Sequence, residues 1–328
     1  FTRQATLQTT QEPFYTGAGF FGQGTRVETV KRIYNEYLTQ QVLSADTRRS
    51  QFDTYASQIS QIDNLLADTT VGLSPALQDF FKAVQDVAAN PANIPARQSM
   101  VSTGESLVSR FQTLDQRLTE IRDGTEKQIE ATVVEINSYA QQIADINQRI
   151  VLAQAGGEGQ AANDLLDQRD LLVNELNQRV RVSTLPESDG SIAVFIGSGQ
   201  PLVVGSHPAQ LQTVPYASDP SHLGINLVTQ GGANVAIPES LLDGGQLGGL
   251  LAFRANSLDN AQNQLGLVAL GLAESFNVQH QLGQDLNGNL GGDFFTVPSP
   301  AVVPSGAVGV SITSVAGLTA SDYQITNN

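Results

Sequence analysis

Residues 129–150 read IEATVVEINSYAQQIADINQRI, which sets isoleucine at Ile129, Ile136, Ile143 and Ile150, with Val133 and Ala140 between them. An apolar period of seven is the signature of a helix that lies against a partner along its whole length. A second such run places leucine at Leu251, Leu258, Leu265 and Leu272. Two stripes in one chain predict intramolecular packing of a bundle rather than a coiled coil between chains. These eight residues are the predicted core stripe of an elongated helical rod.

Upstream of the isoleucines, Leu107, Phe111, Leu114, Leu118 and Ile121 step in a 4-3-4-3 rhythm. Two successive fours, Ile121 to Thr125 to Ile129, then form a stutter, which unwinds a supercoil locally without breaking the helix. The spacing predicts one helix from about Gly104 to Gln154, about 75 Å long at roughly 1.5 Å per residue. Earlier in the chain, a helix is predicted from near Arg26, carrying Val27, Val30, Tyr34, Tyr37 and Leu38. Phe52, Tyr55, Ile59, Ile62 and Leu66 mark an amphipathic helix. Ser74-Pro75 opens a shorter one through Val87, and Asn90-Pro91 and Ile94-Pro95 are expected to close it. A further helix spans Asn163 to Val180 and folds back on the long one.

Beyond Arg181 the texture changes. Ser191–Ile196 and Pro201–Val204 are strand-like runs around a Gly197-Ser198-Gly199-Gln200 turn, and Pro, Gly and Asn punctuate the sequence to Gly245. The leucine helix occupies about Leu247 to Gln281, after which strand texture returns at Phe294-Phe295 and Val308–Ile312. The expected fold is a multidomain α+β chain in which β-rich domains are inserted into a helical-bundle rod. Residues 1–180 and 246–285 form the rod domain, 181–245 a small β-rich domain, and 286–328 the start of a further, truncated β-rich domain.

The 328 residues are 40% hydrophobic and 15% charged, with 32 Asp and Glu against 17 Lys and Arg, a net charge of −15. Such an acidic chain without clustered cations does not suit nucleic acid or an anionic membrane surface. Cysteine is absent, which excludes disulfides, thiolate metal sites and cysteine nucleophiles. No run of 18 apolar residues exists, and Phe1–Ala5 are not a secretory signal. The start without Met and the open-ended Ile325–Asn328 are read as those of an excised fragment.

The chemical motifs are weak. Gly17-Ala18-Gly19-Phe20-Phe21-Gly22 matches GxGxxG, but Thr9–Pro13 before it is no buried strand, so a glycine turn into a helix is expected instead of a dinucleotide site. Asp285-Leu286-Asn287-Gly288-Asn289 alternates oxygen ligands as calcium loops do. Leu290 stands where such a loop needs Gly and Thr296 where it needs Glu, which favours a plain Asn-Gly turn. His207, His222 and His280 lack ligand spacing, and Ser206-His207 and Ser221-His222 point to opposite faces as strand neighbours. Neither catalysis, a cofactor nor a metal is expected. Phe14, Tyr15, Phe20 and Phe21, set among glycines, either contact a neighbouring subunit or cap the rod core.

Asp164–Leu176, followed by Val180-Arg181-Val182, resembles the signature stretch of the hook-associated protein 1 family, the first hook–filament junction proteins of the bacterial flagellum. Further segments agree in the same order. They are Phe1–Gln4, similar to the residues after that family's N-terminal NTPGY motif, Gly22–Val27 leading to Ile33–Leu38, Leu73 to Arg110, Gly248–Arg254 and Gly283–Gly288. The resemblance covers most of residues 1–295. It implies an axial structural protein, exported through the flagellar type III channel to the cell exterior, that joins hook to filament by side-to-side helical assembly. The implied partners are other copies in a ring, the hook protein, the neighbouring junction protein and an export chaperone bound through the missing C-terminus. The family's terminal assembly helices are absent, so the fragment is expected to be monomeric. The alternatives are another axial protein, flagellin-like or hook-like, and a secreted coiled-coil adhesin or translocon-type surface protein.

Overall fold

The computed structural model describes residues 3–10, 14–17, 19–21, 25–33, 35–67, 72–156, 162–217, 219–229, 231–285, 287–297 and 326–327. The chain divides into two compact units, one made of 1–52, 130–214 and 224–249, the other of 53–129, 215–223 and 250–328.

In the first unit, β1 (Arg3–Thr10) pairs antiparallel with β4 (Thr25–Ile33) as a two-stranded ribbon. Between them, β2 (Phe14–Thr16) and β3 (Gly19–Phe21) form a short hairpin. The first part of the helix expected from near Arg26 is therefore a strand, whereas its Tyr37 and Leu38 do lie in a helix that begins at Glu36, and Tyr34 lies outside the described residues. Five of the strand's nine residues (Thr25, Val27, Thr29, Val30 and Ile33) are β-branched, which favours pleated structure over a helix. The three-residue spacing of Val27 and Val30, which reads as helical, is accommodated by a bulge. Leu7 pairs with Thr29 but Gln8 with Val27, so Glu28 is the extra residue.

The helix α1 (Glu36–Ala67) follows, started by Asn35, whose Oδ1 accepts the Leu38 amide at 3.1 Å. The helix α2 (Leu73–Ala89) belongs to the second unit, and α3 (Ile94–Gly156) contributes to both. α3 begins ten residues before the expected Gly104. Ile94-Pro95 opens it instead of closing α2, because proline in a first helical turn loses no intrahelical bond. Asn93 caps it, its Oδ1 accepting the Ala96 amide at 3.2 Å. At the stutter the helix runs on unbroken, and the Thr125 hydroxyl donates to the Ile121 carbonyl at 2.8 Å.

After α4 (Asn163–Arg179), the first unit builds two antiparallel sheets. One is ordered β5 (Val182–Pro186), β6 (Ile192–Ile196), β7 (Gln200–Val204), β8 (His207–Pro208). The other is ordered β11 (Asn234–Ile237), β10 (Leu223–Val228), β9 (Gln210–Pro215). Ile192, Ala193, Val194 and Ile196 of β6 are all buried, so this central strand is covered on both faces. Pro208 sits in the two-residue edge strand, where a missing N–H costs no ladder bond. Gly245 turns the chain into α5 (Gly245–Phe253) at φ +67°, and a Cβ there would lie 2.6 Å from the Arg179 carbonyl carbon.

The second unit is helical. The leucine run is not one uniform helix, because Arg254–Leu258 make a π-helical turn between α5 and α6 (Asp259–Gln281). Its aromatic core holds Phe80, Leu107, Val108, Phe111, Ala269, Ala273, Phe294 and Phe295. A second cluster joins Ile62, Leu118, Phe253 and Leu258. Phe294 and Phe295 pack into this core, and Phe295–Thr296 form a short strand, β12, paired antiparallel with β13 (Thr326–Asn327), where strand texture is expected; Val308–Ile312 lie outside the described residues.

Candidate assembly surface

The aromatics singled out in the sequence come together on the β2–β3 hairpin, where Phe14 pairs with Phe21 and Tyr15 with Phe20. Of the glycine motif, Gly19–Phe21 are β3, Ala18 and Gly22 lie outside the described residues, and the next element is β4, not a helix. Behind it, the ribbon is tied to α4. Arg32 of β4 reaches Asp167 at 3.0 Å and Asp170 at 2.5 Å. Both carboxylates belong to the sequence stretch that carried the family resemblance, and at i and i+3 they share one helix face.

The helix α4 makes two more clasps. Arg169 donates to the Gly190 carbonyl at 2.8 Å, and the buried Asn177 donates to the Leu43 carbonyl at 2.7 Å while accepting the Val182 amide. The helix α4 is therefore a junction tied to β4, α1 and the loop before β6. Leu38, Val42 and Phe52 lie on one side of α1 and are more than half exposed.

Of the predicted core stripe, Ile129, Ile136, Ile143, Ile150 and Leu258 have no exposed surface and Leu251 is 3% exposed. Leu265 and Leu272 are partly buried against the aromatic core. Ile136, Ile143 and Ile150 belong to the first unit, the other five to the second. In the first unit α3 also carries polar clasps to the sheets. Asn137 donates to the Leu211 carbonyl and accepts its amide, both at 2.8 Å. The fully buried Asn147 donates to the Ile192 and Gly205 carbonyls at 2.8 and 2.7 Å and accepts the Ile192 amide at 3.3 Å. Asn147→Ala would strand those groups, at roughly 2–3 kcal/mol. Urea unfolding should show the loss, with amide exchange in β6 accelerating first.

The stripes did not reveal a buried polar layer in the second unit. The fully buried Arg254 grips Glu126 through two bonds of 2.6 and 2.7 Å, and Glu126 also accepts the Leu223 amide at 3.3 Å. Arg122 bonds Asp259 at 2.6 Å and Gln262 at 3.0 Å. Gln58 donates to Gln128 at 2.9 Å.

The remaining sequence candidates do not converge. His207 lies in β8, His222 packs on Tyr216, and His280 bonds the Gly292 carbonyl. Asp285 accepts the Asn287 and Asn289 amides and the Asn289 side chain, and those bonds, Asn289 foremost, hold its carboxyl below the ordinary range. Its oxygens are used by the turn, with Gly288 at φ +87°. Among the described residues no three of His, Cys, Asp and Glu gather as a metal site would require, and no helix is long and apolar enough to cross a membrane.

Long amphipathic helices bearing antiparallel sheets, joined by polar clasps, define a structural α+β scaffold. The family model described as the helical domain of flagellar hook-associated protein FlgK matches residues 59–295, and the chain belongs to that family. Flagellar hook-associated protein 1 of Escherichia coli (strain K12) is 39% identical over 99% of this chain and 60% of the relative. The Salmonella typhimurium protein of that name is 39% identical over 92% of this chain and 55% of its own length. The solved structure of the flagellar hook junction protein FlgK from Burkholderia pseudomallei superposes with a TM-score of 0.74 at 40% identity, covering 80% of this chain and 47% of that one. The chain thus spans about 55–60% of the length of those two relatives.

Proposed function

We propose that this chain is part of a structural subunit of the bacterial flagellum, an adapter that joins hook to filament by side-to-side assembly, and not an enzyme. The observation that carries the reading is the match of residues 59–295 to the helical domain of the hook-associated family. The Burkholderia relative, described as a hook junction protein, adds to it. The subunit is exported through the flagellar type III channel to the cell exterior. Its partners are further copies in a ring, the hook protein and the neighbouring junction protein, with an export chaperone engaged by sequence beyond this chain. The hairpin with Phe14, Tyr15, Phe20 and Phe21 is the proposed subunit contact, and the eight stripe residues are the proposed core of the rod. Polar clasps suit the role, since they fix the angle between elements more tightly than apolar packing alone.

Immunogold electron microscopy of detached flagella, with antibody raised against this chain, tests the proposal. Label is expected in a narrow band between hook and filament. Label along the whole filament would make the protein flagellin-like, and label on the cell surface away from flagella would make it an adhesin.

A further inference from the structure

A two-stranded ribbon is marginal in water when nothing supports it. Among the described residues the β1–β4 ribbon has two strands. It also carries a bulge, which breaks one step of its ladder. Arg32, at the end of β4, ties it to α4.

Isolated surface ion pairs contribute little, because both partners stay solvated and lose side-chain freedom. Arg32 differs on two counts. Its side chain is only 11% exposed, whereas Asp167 and Asp170 are 39% and 36% exposed. One guanidinium also engages two carboxylates through different nitrogens, Nε to Asp167 and a terminal nitrogen to Asp170. The terminal nitrogen donates a hydrogen bond to Asp170 while Nε lies within ion-pair distance of Asp167, so one partly covered cation serves two carboxylates.

We infer that Arg32 with Asp167 and Asp170 forms an electrostatic latch, and that the folding of the β1–β4 ribbon, with the hairpin it carries, depends on this latch being closed. The latch couples two segments far apart in sequence. It gives the Asp167 and Asp170 positions a task distinct from core packing. Because the carboxylates are partly solvated, the latch is sensitive to salt: at about 1 M the screening length falls to about 3 Å. A closed latch presents the hairpin in one orientation, and an open one releases it on a melted tether. This inference rests on the proposed assembly role only for what the hairpin meets. The latch itself is a property of the single chain.

Hydrogen exchange of the isolated chain, followed by mass spectrometry, tests it without any partner. Arg32→Ala is expected to speed exchange of the amides in 25–33 at least tenfold while those of β6 and β7 stay unchanged. The pair Asp167→Asn with Asp170→Asn should reproduce that loss. Adding Arg32→Ala to the pair should cost less than Arg32→Ala does alone, since the three residues share the latch. Arg32→Lys should recover part of the protection. In 1 M salt the wild-type ribbon should lose protection and the Arg32→Ala ribbon should not change further. Unchanged protection in Arg32→Ala would overturn the latch. So would acceleration spread evenly into β6 and β7, which would mark a general loss of stability. A junction label in microscopy with no effect of Arg32→Ala would refute the latch and keep the adapter; the converse would do the reverse.

Discussion

Arg254→Ala is expected to destabilise the second unit by about 3–5 kcal/mol, the cost of breaking a buried ion pair by removing one partner. Glu126 would then be left with 7% exposure and no cation, its remaining hydrogen bond being the one accepted from the Leu223 amide. Glu126→Gln should cost less than Arg254→Ala, because a neutral amide still accepts from Arg254 without leaving a bare carboxylate. The informative control is Arg254→Met combined with Glu126→Leu. A well-packed apolar pair of similar size is frequently neutral or stabilising, so the double variant should be far more stable than either single change. Urea unfolding of the three variants measures this. Additive losses in the double variant would show that the two side chains do not act as a pair.

The pair also bears on register. Arg254 opens the π-turn, and Glu126 lies within the stutter of α3. Inserting a residue into one helix and unwinding the other are both departures from a strict heptad. At this level Arg122, Thr125, Glu126 and Arg254 are buried where apolar stripes would otherwise continue. Apolar side chains tolerate a one-residue slide, but a slide would carry the one Arg254 nitrogen that bonds both Glu126 oxygens away from them and leave two buried charges apart. The polar layer therefore selects one alignment of the second unit's helices.

How much of this was legible in the sequence depends on how local the signal is. Helical faces repeat within a few turns, so α1 past Phe52, α2, α3 and α4 could be read from spacing alone. The run Val27–Val30 misled because its spacing is helical while its composition is that of a strand. Only pairing with β1, some twenty residues away, and the bulge at Glu28 decide between them. The same holds at Ile94-Pro95, where proline marks a boundary without saying on which side the helix lies. The aromatic hairpin was visible as a cluster and the signature stretch as a resemblance, but Arg32, which ties the two together, gave no sign in its own neighbourhood. Partners of Arg254 and Asn147 lie 128 and 45 residues away, and no window of sequence contains both ends. Long-range polar clasps are the part that spacing cannot supply.

Phe80→Ala should be as costly as Arg254→Ala, for the opposite reason. Phe80 has no exposed surface, and the rings of Phe81, Phe276, Phe294 and Phe295 surround it with centroids 5.1–5.9 Å away. Removing it leaves a cavity that those rings cannot all collapse into, at about 3–5 kcal/mol. Its neighbour Phe81 is 45% exposed, and Phe81→Ala should cost much less. Phe80→Leu should fall between the two, and urea midpoints would rank the three. The cavity should also loosen the Phe294-Phe295 segment beyond α6. Both residues are held to that helix by Asn277, which accepts their two amides at 2.8 Å. Asn277 alone does not compensate for the lost ring contacts, so amide exchange at Phe294 and Phe295 should accelerate in Phe80→Ala. If those amides stay protected, the polar clasp and not the aromatic core fastens this segment. Gly104 shows how closely the core is fitted, since a Cβ there would meet Phe294 at 2.9 Å. Gly104→Ala in the Phe80→Ala background should therefore cost less than in the wild type, because the cavity gives Phe294 somewhere to move.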